Sequence, residues 1–468
     1  MASELYEMTA AELAEAYRAG EASPVEAAEA CLGRIDALDA TINAFCLVDH
    51  EATLAEAEAS EARWRDGAPL SPLDGVPVAI KDLLLTKGWA TRRGSLTVDH
   101  SGPWTEDAPS VARLREAGAV LIGKTTTPEF GWKGSTDSPL TGITRNPWNK
   151  AKTPGGSSGG SAAALVARFA PLALGTDGGG SIRIPAAFSG CYGIKPSFGR
   201  VPAYPLSPFG TVAHVGPMAR TVRDSAMLLN VISKPDARDW HALPATDTDY
   251  TRRLGESMKG KRVAYSPRLG YVKRVTPEVE SLVAAAAKRF EAMGAHVEQV
   301  EPDFGDPSLT FRNLWWAGAG LLLGDLPAAK KAQLDPGLKR MADEGAALSL
   351  RDYLKANAAR GTYGSRWRQF MEAYDFLLTP TVATTAFDVG RLTPLDDDGN
   401  AWMAWTPFSF PFNLTQQPAA SVNCGFTKDG LPVGLQIVGK MYDDAGVLAA
   451  SSAYEAVDPY CDRVPQGF

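Results

Sequence analysis

The first 65 residues carry apolar side chains at helical rather than strand spacing, so we expect an N-terminal helical segment over 1–65. Thr9 followed by Glu12 forms a capping box that predicts a helix over 10–18. The same signal recurs at 23–26, with a proline at the first helical position. The apolar residues of this second helix that should face the core are Ala27, Cys31, Ile35 and Leu38.

Strand-like runs begin near residue 74 and alternate with helical ones. Residues 76–80 predict a buried strand, 111–116 a helix, and 119–122 a second strand that ends at Gly123. This alternation is typical of an α/β protein whose sheet is covered on both faces. Further predicted elements are helices over 162–169 and 279–293 and strands over 262–265, 297–300, 376–378 and 435–438.

Composition excludes several classes of protein. The chain has 468 residues, of which 45% are hydrophobic and 22% charged, ordinary values for a soluble globular protein. A chain of this length buries enough surface to fold without disulfides or a structural metal. Its net charge of -7 argues against a nucleic-acid partner or an anionic membrane surface. Residues 1–9 are polar and no uncharged apolar run reaches about 18 residues, so we expect a cytoplasmic protein.

Cysteines and histidines give no sign of a metal site. The five cysteines include no C-x-x-C pair, so we expect free thiols in a reducing compartment. The five histidines lie far apart, so no zinc-type pair is present. Residues 393–400 contain three consecutive aspartates, but they lack the ligand spacing of a calcium loop and favour a solvated turn. The polar segment 235–251 is expected to cross the surface between two lobes.

Two glycine- and serine-rich segments hold the candidate chemistry. The first, 154–161, fits either a flexible linker or a turn that opens a helix and presents free N–H groups there. It lacks the Gly-Lys-Ser/Thr of a P-loop. The second, 174–185, places three glycines directly before Ser181. Their unshielded backbone N–H groups suit an oxyanion hole beside a nucleophile, although a simple turn after a strand has the same composition.

A serine nucleophile needs a base, and a histidine is the first candidate. Residues 156–160 fit Gly-x-Ser-x-Gly, the nucleophile elbow of α/β-hydrolases, with Ser158 as the nucleophile. Only His214, His241 and His296 lie downstream, and the last two have surroundings typical of a surface. The elbow therefore has few partners from which to build a Ser-His-Asp triad.

Lys81 is the alternative base. It closes the apolar run 76–80, which we expect to be a buried strand. Burial disfavours the ammonium form, and lowering a lysine pKa by about three units corresponds to about 4 kcal/mol. A neutral Lys81 would act as a general base.

These segments together resemble the signature of the amidase-signature family. The strongest matches are GVPVAIKD at 75–82, GGSSGGS at 155–161 and GTDGGGSIR at 175–183. The resemblance is densest over 73–220 and resumes at 405–445, whereas 235–400 matches loosely. Shorter matching motifs lie at 123–125, 142–148, 193–197 and 430–436.

The resemblance implies an α/β fold with one central, mixed and twisted β-sheet covered by helices on both faces. It implies one domain over 1–468, in which 1–65 is the helical segment and 73–220 the catalytic core. The region 235–400 would vary with substrate specificity, and 405–468 would return to the core.

The resemblance also implies a Ser–cisSer–Lys triad that needs no metal or organic cofactor. Ser181 would be the nucleophile, Ser157 the serine that follows a cis peptide bond, and Lys81 the base. Ser158 would be a hydrogen-bonding neighbour of the triad, which disfavours the elbow. The backbone N–H groups expected to hold the oxyanion are those of Gly178, Gly179, Gly180 and Ser181. The residues expected to support the glycine turn are Asp177 and Arg183, with direct substrate contact a lesser role for Arg183.

Members of this family act on different amides. They include fatty acid amide hydrolase, arylamide hydrolases, indoleacetamide hydrolase and the amidase subunit of glutamyl-tRNA amidotransferase. That subunit binds glutamine through an acidic residue shortly before a Pro-x-Asn stretch, and 406–413 has no acid at that place. By position, Gly131 and Trp132 would line the acyl pocket. The further aromatic residues that favour an apolar or aromatic substrate are Trp315, Trp316, Trp402 and Trp405.

We therefore expect a serine amidohydrolase that cleaves the C–N bond of a small apolar or aryl amide through an acyl-enzyme. Carbamates (urethanes) and esters are chemically close substrates. The alternatives are the amidase component of an amidotransferase complex and a Ser-His-Asp α/β-hydrolase. We expect a monomer or homodimer that binds neither nucleic acid nor membranes.

Overall fold

A computed structural model describes residues 5–394, 402–459 and 463–468 of the chain. The strands are β1 Phe45–Val48, β2 Pro77–Lys81, β3 Val120–Thr125, β4 Asp137–Ser138, β5 Gly142–Ile143, β6 Leu172–Asp177, β7 Tyr192–Lys195, β8 His214–Ala219, β9 Arg262–Tyr265, β10 His296–Gln299, β11 Phe376–Pro380, β12 Ala419–Phe426 and β13 Pro432–Gly439. The α-helices are α1 Ala10–Ala19, α2 Pro24–Ile42, α3 His50–Arg65, α4 Pro109–Glu116, α5 Gly159–Val166, α6 Arg183–Ser189, α7 Val222–Ile232, α8 Pro277–Ala292, α9 Ser308–Leu323, α10 Ala328–Lys331, α11 Pro336–Ala346, α12 Leu350–Phe370, α13 Pro411–Leu414 and α14 Asp444–Val457.

One large mixed sheet runs through the described part of the chain. Its order is β1-β3-β2-β6-β8-β7-β12-β13-β11-β9-β10, and a separate hairpin joins β4 to β5. The pairs β3–β2, β2–β6, β11–β9 and β9–β10 are parallel, and the remaining pairs are antiparallel. Helices flank this sheet, so the predicted α/β class with a mixed central sheet is confirmed.

The N-terminal capping signals act as the sequence predicts. Thr9 caps α1 and Ser23 caps α2, each in a full capping box, and proline stands at the start of α2. The expectation of an entirely helical segment is wrong at one place. The short strand β1 lies between α2 and α3 and pairs antiparallel with β3 at the edge of the sheet.

The strand predicted over 119–122 continues beyond the glycine that was expected to end it. A Cβ atom at Gly123 would overlap the backbone carbonyl of Leu47 on β1. Glycine at this position therefore allows the edge strand to approach closely and does not break β3. The predicted strand at 262–265 is confirmed with the same bounds, and the other predicted elements shift by a few residues at their ends.

The catalytic candidates converge because β2 and β6 are parallel neighbours. Their register pairs Val78 with Leu172 and Ile80 with Leu174. The carboxyl ends of neighbouring parallel strands meet at the same edge of a sheet. Lys81, the last residue of β2, therefore lies beside the end of β6, where the second glycine-rich segment begins.

The polar segment 235–251 is only partly a surface crossing. Asp239 within it is buried, and its carboxylate accepts hydrogen bonds from the backbone N–H groups of Ala203 and His241, each at 2.8 Å. The turn predicted at 393–400 lies largely outside the described residues. None of the helices in the described ranges has both the length and the apolar character that a membrane span requires.

Helices α9 and α11 approach each other closely enough that glycine is required at the contact. A Cβ atom at Gly345 would overlap the carbonyl oxygen of Trp316, and one at Gly320 would overlap the backbone N–H of Ala346. The same helix α9 carries Trp315. The close contact therefore fixes the position of a segment that faces the candidate site described below.

Replacing Gly345 by alanine should lower the free energy of unfolding by about 1–3 kcal/mol, because the added methyl group forces α9 and α11 apart. Urea unfolding followed by circular dichroism measures the change. The matched control is Gly361→Ala in α12, where nothing lies within 4 Å of an added Cβ atom. There alanine should stabilise by up to about 1 kcal/mol. Equal effects at the two sites would contradict this packing.

Candidate active site

Lys81 is fully buried at the end of β2 and is surrounded by hydroxyl groups. Its Nζ lies 2.7 Å from Oγ of Ser157, 2.8 Å from Oγ of Ser158 and 2.8 Å from Oγ1 of Thr176. No carboxylate forms an ion pair with this amine within the ranges that the structure covers. The arrangement gives Lys81 three neutral partners and no counter-ion.

The surroundings of Lys81 favour its uncharged form. Burial holds the pKa of the Lys81 amine well below its usual value, and the more distant Asp177 carboxylate only partly opposes this shift. The neutral amine has a lone pair that can accept a proton from a hydroxyl group. Lys81 thus has the protonation state that a general base requires.

Ser157 and Ser181 face the same cavity. The Gly156–Ser157 peptide bond is cis, and an added Cβ at Gly156 would lie 2.6 Å from the carbonyl oxygen of Ser135. Ser157 is 2% exposed and Ser181 is 7% exposed, and both line the cavity. The structure therefore places the two predicted serines where one small molecule can reach both.

Ser158 has a different environment from these two serines. It is fully buried and does not line the cavity. Its hydroxyl group is 2.8 Å from Lys81 Nζ and donates to the Thr176 carbonyl at 3.2 Å. Thr176 is a neighbour of the lysine that the sequence analysis missed. Its place at the end of β6, beside β2, was the only available signal.

The glycine turn before Ser181 is organised by the Asp177 carboxylate. This carboxylate accepts hydrogen bonds from the backbone N–H groups of Gly180 at 2.7 Å and Ile182 at 3.2 Å. The expectation that Gly180 supplies an oxyanion donor is therefore corrected, because its N–H already has a partner. The predicted donors without such a bond among the described residues are the N–H groups of Gly178, Gly179 and Ser181.

The residues Gly178 and Gly179 pack tightly against aromatic rings. A Cβ atom at Gly178 would lie 2.5 Å from Cζ3 of Trp315, and one at Gly179 would lie 2.8 Å from Cζ of Phe311. A side chain at either position would displace these rings. Glycine is therefore required here for close approach, as well as for leaving the N–H groups uncovered.

Arg183 is buried next to the glycine turn and forms hydrogen bonds with four other residues. Its guanidinium donates to both oxygens of Asp177 at 2.9 Å, to Oδ1 of Asn413 and Oε1 of Gln436 at 2.7 Å, and to the Ser409 carbonyl at 2.8 Å. It is fully buried and does not line the cavity. These contacts favour the orienting role expected for Arg183 over direct substrate contact.

The sequence analysis did not assign roles to Asn413 and Gln436. Asn413 lies on α13 and Gln436 on β13, far along the chain from Arg183. Both stand in motifs that match the family, and this match was the available signal. Through these contacts with Arg183, the C-terminal segment supports the glycine turn before Ser181.

The Asp177 carboxylate stays ionised although it is buried. Burial alone would raise its pKa, but the Arg183 guanidinium and the Asn413 amide together hold the pKa of Asp177 well below its usual range. A charged carboxylate is the stronger acceptor for the backbone N–H groups of the turn. The ion pair therefore fixes the backbone around Ser181.

The cavity in front of the two serines has a volume of about 220 Å³ and a mostly apolar wall. Gly131 lines it, as expected, but Trp132 does not; Phe130 lines it instead. The Trp132 ring packs against α11, where a Cβ atom at Gly337 would overlap it. Other apolar residues that line the cavity are Leu83, Leu84, Phe198, Leu206, Phe209 and Trp315.

Of the four other tryptophans considered, Trp315 lines the cavity. It stacks on Phe209 with ring centroids 3.9 Å apart. Trp402 is buried and its ring lies edge-on to that of Trp315, with centroids 6.1 Å apart, and Trp405 stacks on Phe188 in the core. The indole of Trp316 donates to Glu344 at 2.9 Å. The apolar character expected of the site therefore depends on Trp315 and on residues the sequence analysis did not name.

The histidines do not assemble a Ser-His-Asp triad in the described parts of the chain. His214 and His241 both line the cavity, so the surface position expected for His241 is wrong. Nδ1 of His214 lies 2.8 Å from the Val212 carbonyl, and no carboxylate of the described residues is hydrogen-bonded to this ring. Burial also holds the pKa of His214 well below its usual value. The elbow serine, Ser158, is bonded to Lys81 instead.

Comparison with known proteins agrees with this geometry. The Amidase family model matches residues 26–448. An acylamidase from Rhodococcus erythropolis is 37% identical, with 98% of each protein aligned. A glutamyl-tRNA(Gln) amidotransferase subunit from Myxococcus xanthus is 38% identical, with 97% of each protein aligned. Among solved structures, a bacterial aryl acylamidase has a TM-score of 0.90 and 30% identity, covering 97% of this chain and 96% of that one.

A mixed sheet, a buried lysine among hydroxyl groups and a serine after a glycine turn define a hydrolase of the amidase-signature type. The chain belongs to the amidase family, and it is an amidase that acts on carbon–nitrogen bonds.

Replacing Arg183 by methionine should lower the free energy of unfolding by about 3–5 kcal/mol, because the Asp177 carboxylate then stays buried without its ion-pair partner. Urea unfolding at neutral pH measures this loss. In the wild type, the lowered pKa of Asp177 contributes stability above the ordinary carboxyl range. That contribution is lost as the pH falls through the folded-state pKa. The variant should therefore also unfold at a higher pH during acid titration.

The matched control for this prediction is Arg223→Met. Arg223 is exposed, and its ion pair with Glu15 spans 3.8 Å. Such surface pairs contribute at most about 1 kcal/mol. An Arg183→Met variant as stable as Arg223→Met would show that the buried pair does not hold the turn.

Proposed function

We propose that this amidase is a serine amidohydrolase that cleaves the C–N bond of a small apolar or aryl amide through an acyl-enzyme. The observation that carries the proposal is the contact of 2.7 Å between Lys81 Nζ and Ser157 Oγ beside a cavity that Ser181 also lines. A buried amine without a counter-ion, one hydroxyl group and a second accessible serine supply a base, a relay and a nucleophile.

In the first half of the reaction, neutral Lys81 accepts the proton of Ser157 as Ser157 accepts the proton of Ser181. The Ser181 oxygen forms a bond with the substrate carbonyl carbon, and the carbonyl oxygen becomes an oxyanion. The backbone N–H groups of Gly178, Gly179 and Ser181 stabilise this charge. Removing one such donor typically costs about 10²–10³ in rate.

The tetrahedral intermediate then collapses by breaking its C–N bond. The proton held by Lys81 returns through Ser157 to the leaving nitrogen, so the amine departs neutral and Ser181 remains acylated. Water, deprotonated through the same relay, attacks the acyl carbon. The acid product leaves and Ser181 regains its proton, which restores the starting state.

The cavity wall supports the choice of substrate class. Phe130, Phe209 and Trp315 offer flat apolar surfaces close to Ser181. Burial of an aliphatic or aryl group there contributes about 25 cal/mol per Å² of apolar area. The names of the Rhodococcus acylamidase and of the structurally similar aryl acylamidase agree with such substrates. Carbamates and esters have a similar carbonyl group, so we include them as secondary substrates.

The second candidate is the amidase component of an amidotransferase, which is favoured by the relative from Myxococcus xanthus. Residues 406–413, where the amidotransferase component would need an acidic side chain for glutamine, contain no acid. Thr406, Ser409 and Asn413 are the polar residues there, and all three are buried. We therefore favour a hydrolase that works without a partner protein, as a monomer or homodimer.

We also propose a cytoplasmic location. The four described cysteines, Cys31, Cys46, Cys191 and Cys424, are free thiols. Unpaired thiols are typical of reducing compartments.

The central test is hydrolysis of p-nitroacetanilide and related anilides by the wild type, Ser181→Ala and Lys81→Ala. Each variant should lose at least about 10³ in kcat, because the relay acts as a unit. Ser225→Ala is the matched control and should keep wild-type activity, because Ser225 is a buried serine in α7 that does not line the cavity. Full activity in Lys81→Ala would contradict the lysine relay. Glutamine hydrolysis without anilide hydrolysis would favour the amidotransferase candidate.

The low pKa of Lys81 predicts the pH dependence. Only the deprotonated amine acts as a base, so kcat/KM should rise with pH and level off well below 10.5, the usual lysine value. Initial rates measured with an uncharged anilide over a series of pH values determine this rise in kcat/KM. Lys81→Arg keeps its proton throughout and should be inactive over the same range. A wild-type profile that begins to rise only near 10.5 would contradict a neutral Lys81.

A further inference from the structure

Arg93 places a guanidinium group on the wall of a mostly apolar cavity. It is the one lysine or arginine among the described residues that line the cavity shared by Ser157 and Ser181. Leu83, Leu84 and Phe130 line the same cavity. The proposed mechanism does not use this guanidinium, so its presence needs a separate explanation.

The Arg93 guanidinium forms no side-chain hydrogen bond or ion pair in the part of the chain that the structure describes. Burial lowers the pKa of Arg93 and attraction to Asp82 partly offsets this, yet an arginine so placed stays charged at neutral pH. The Asp82 carboxylate is paired with Lys124, whose Nζ lies 3.5 Å away. The guanidinium donors of Arg93 that face the cavity thus remain available to a ligand.

The backbone fixes Arg93 beside the reacting groups. Arg93 adopts a positive φ of 57°, a conformation that a residue with a side chain keeps only where its surroundings impose it. Its carbonyl accepts the N–H of Phe130 at 2.8 Å. Gly131, which follows Phe130, packs against Ser157, because an added Cβ atom at Gly131 would lie 3.2 Å from Oγ of that serine. Arg93 therefore belongs to the wall of the cavity that Ser157 shares.

Among the described residues, no other ionisable group that lines the cavity forms an ion pair with Arg93. The Asp239 carboxylate already accepts two backbone N–H groups, those of Ala203 and His241. His214 has a pKa held well below its usual value by burial and is neutral. A charged donor in a partly desolvated apolar cavity is costly unless a ligand pairs with it.

We infer that Arg93 binds a carboxylate carried by the amide substrate. The planar guanidinium matches a carboxylate in a two-bond arrangement, and water is largely displaced from such a site when a ligand fills it. The substrate class is then an amide with an apolar or aryl body and one acidic group. This inference rests on the proposed function, since it places the substrate in the cavity of Ser181.

Ligand binding to the Ser181→Ala background tests the inference without turnover. Isothermal titration calorimetry compares two pairs of anilides, each a carboxylate and its uncharged isostere. The first pair, N-phenylsuccinamate and 4-methylpentananilide, places the acid on the acyl side. The second, 4-acetamidobenzoate and 4-isopropylacetanilide, places it on the amine side. In at least one pair the carboxylate should bind about 10- to 100-fold more tightly, the range expected for hydrogen bonds to a charged group.

Adding Arg93→Met should abolish this preference and change the affinity of the uncharged isostere by less than about threefold. Arg93→Lys keeps the charge without the fork and should keep part of the preference. The Arg93→Lys variant also tests the inference if the Arg93→Met variant does not fold. The matched control is Arg92→Met, a neighbouring arginine that does not line the cavity and should leave the preference intact.

Equal affinity within both pairs, or a preference that survives Arg93→Met, overturns the inference. The proposed function fails separately, through the turnover assays with Ser181 in place. Binding that depends on Arg93 in a protein that hydrolyses no amide would support the carboxylate site and reject the amidohydrolase.

Discussion

The burial of the Lys81 amine among three hydroxyl groups is the constraint on which the rest of the site depends. An amine placed there loses its hydration and forms no ion pair with a carboxylate of the described residues. Both effects favour its neutral form. This requires a dry position, and the end of β2 is dry because β3 and β6 pair with it on either side and helices cover the sheet. The parallel pairing with β6 then brings Thr176 within reach. The unusual lysine is therefore a property of the whole sheet.

The buried Asp177–Arg183 ion pair responds to burial in the opposite way. There both charges are kept, and their mutual attraction with the surrounding amides offsets the cost of burial. The pair holds the backbone of the glycine turn and joins it to Asn413 and Gln436. Lys81 and Asp177 thus stand at the ends of neighbouring strands with different charge states. Asp177 stays ionised because Arg183 pairs with it, whereas Lys81 has no anionic partner among the described residues.

Local patterns predicted much of the fold, and contacts between distant segments account for the errors. Capping boxes identified α1 and α2 because such signals involve only a few neighbouring residues. Strand β1 was missed because its pairing with β3 is not visible in its own four residues. The resemblance to the family pointed to Lys81, Ser157 and Ser181 as one group. The structure places Lys81 in contact with Ser157 and places both serines on the wall of one cavity. It did not reveal that Gly180 donates to Asp177, or that Phe130 rather than Trp132 lines the cavity, because both depend on where packed side chains and backbone turns point.

The residues that line the cavity come from separate segments of the chain, and this affects how the substrate range of such an enzyme can change. The proposed reacting groups stand at the end of β2, in the turn before α5 and in the turn between β6 and α6. Another part of the wall is contributed by the loop that carries Phe209 and by α9 with Trp315, and α9 is positioned by its glycine contact with α11. Substitutions in α11 can therefore shift Trp315 without touching a catalytic atom. Adaptation to a new acyl or amine group is separable from the chemistry, so substrate range can drift between relatives while the reaction stays the same.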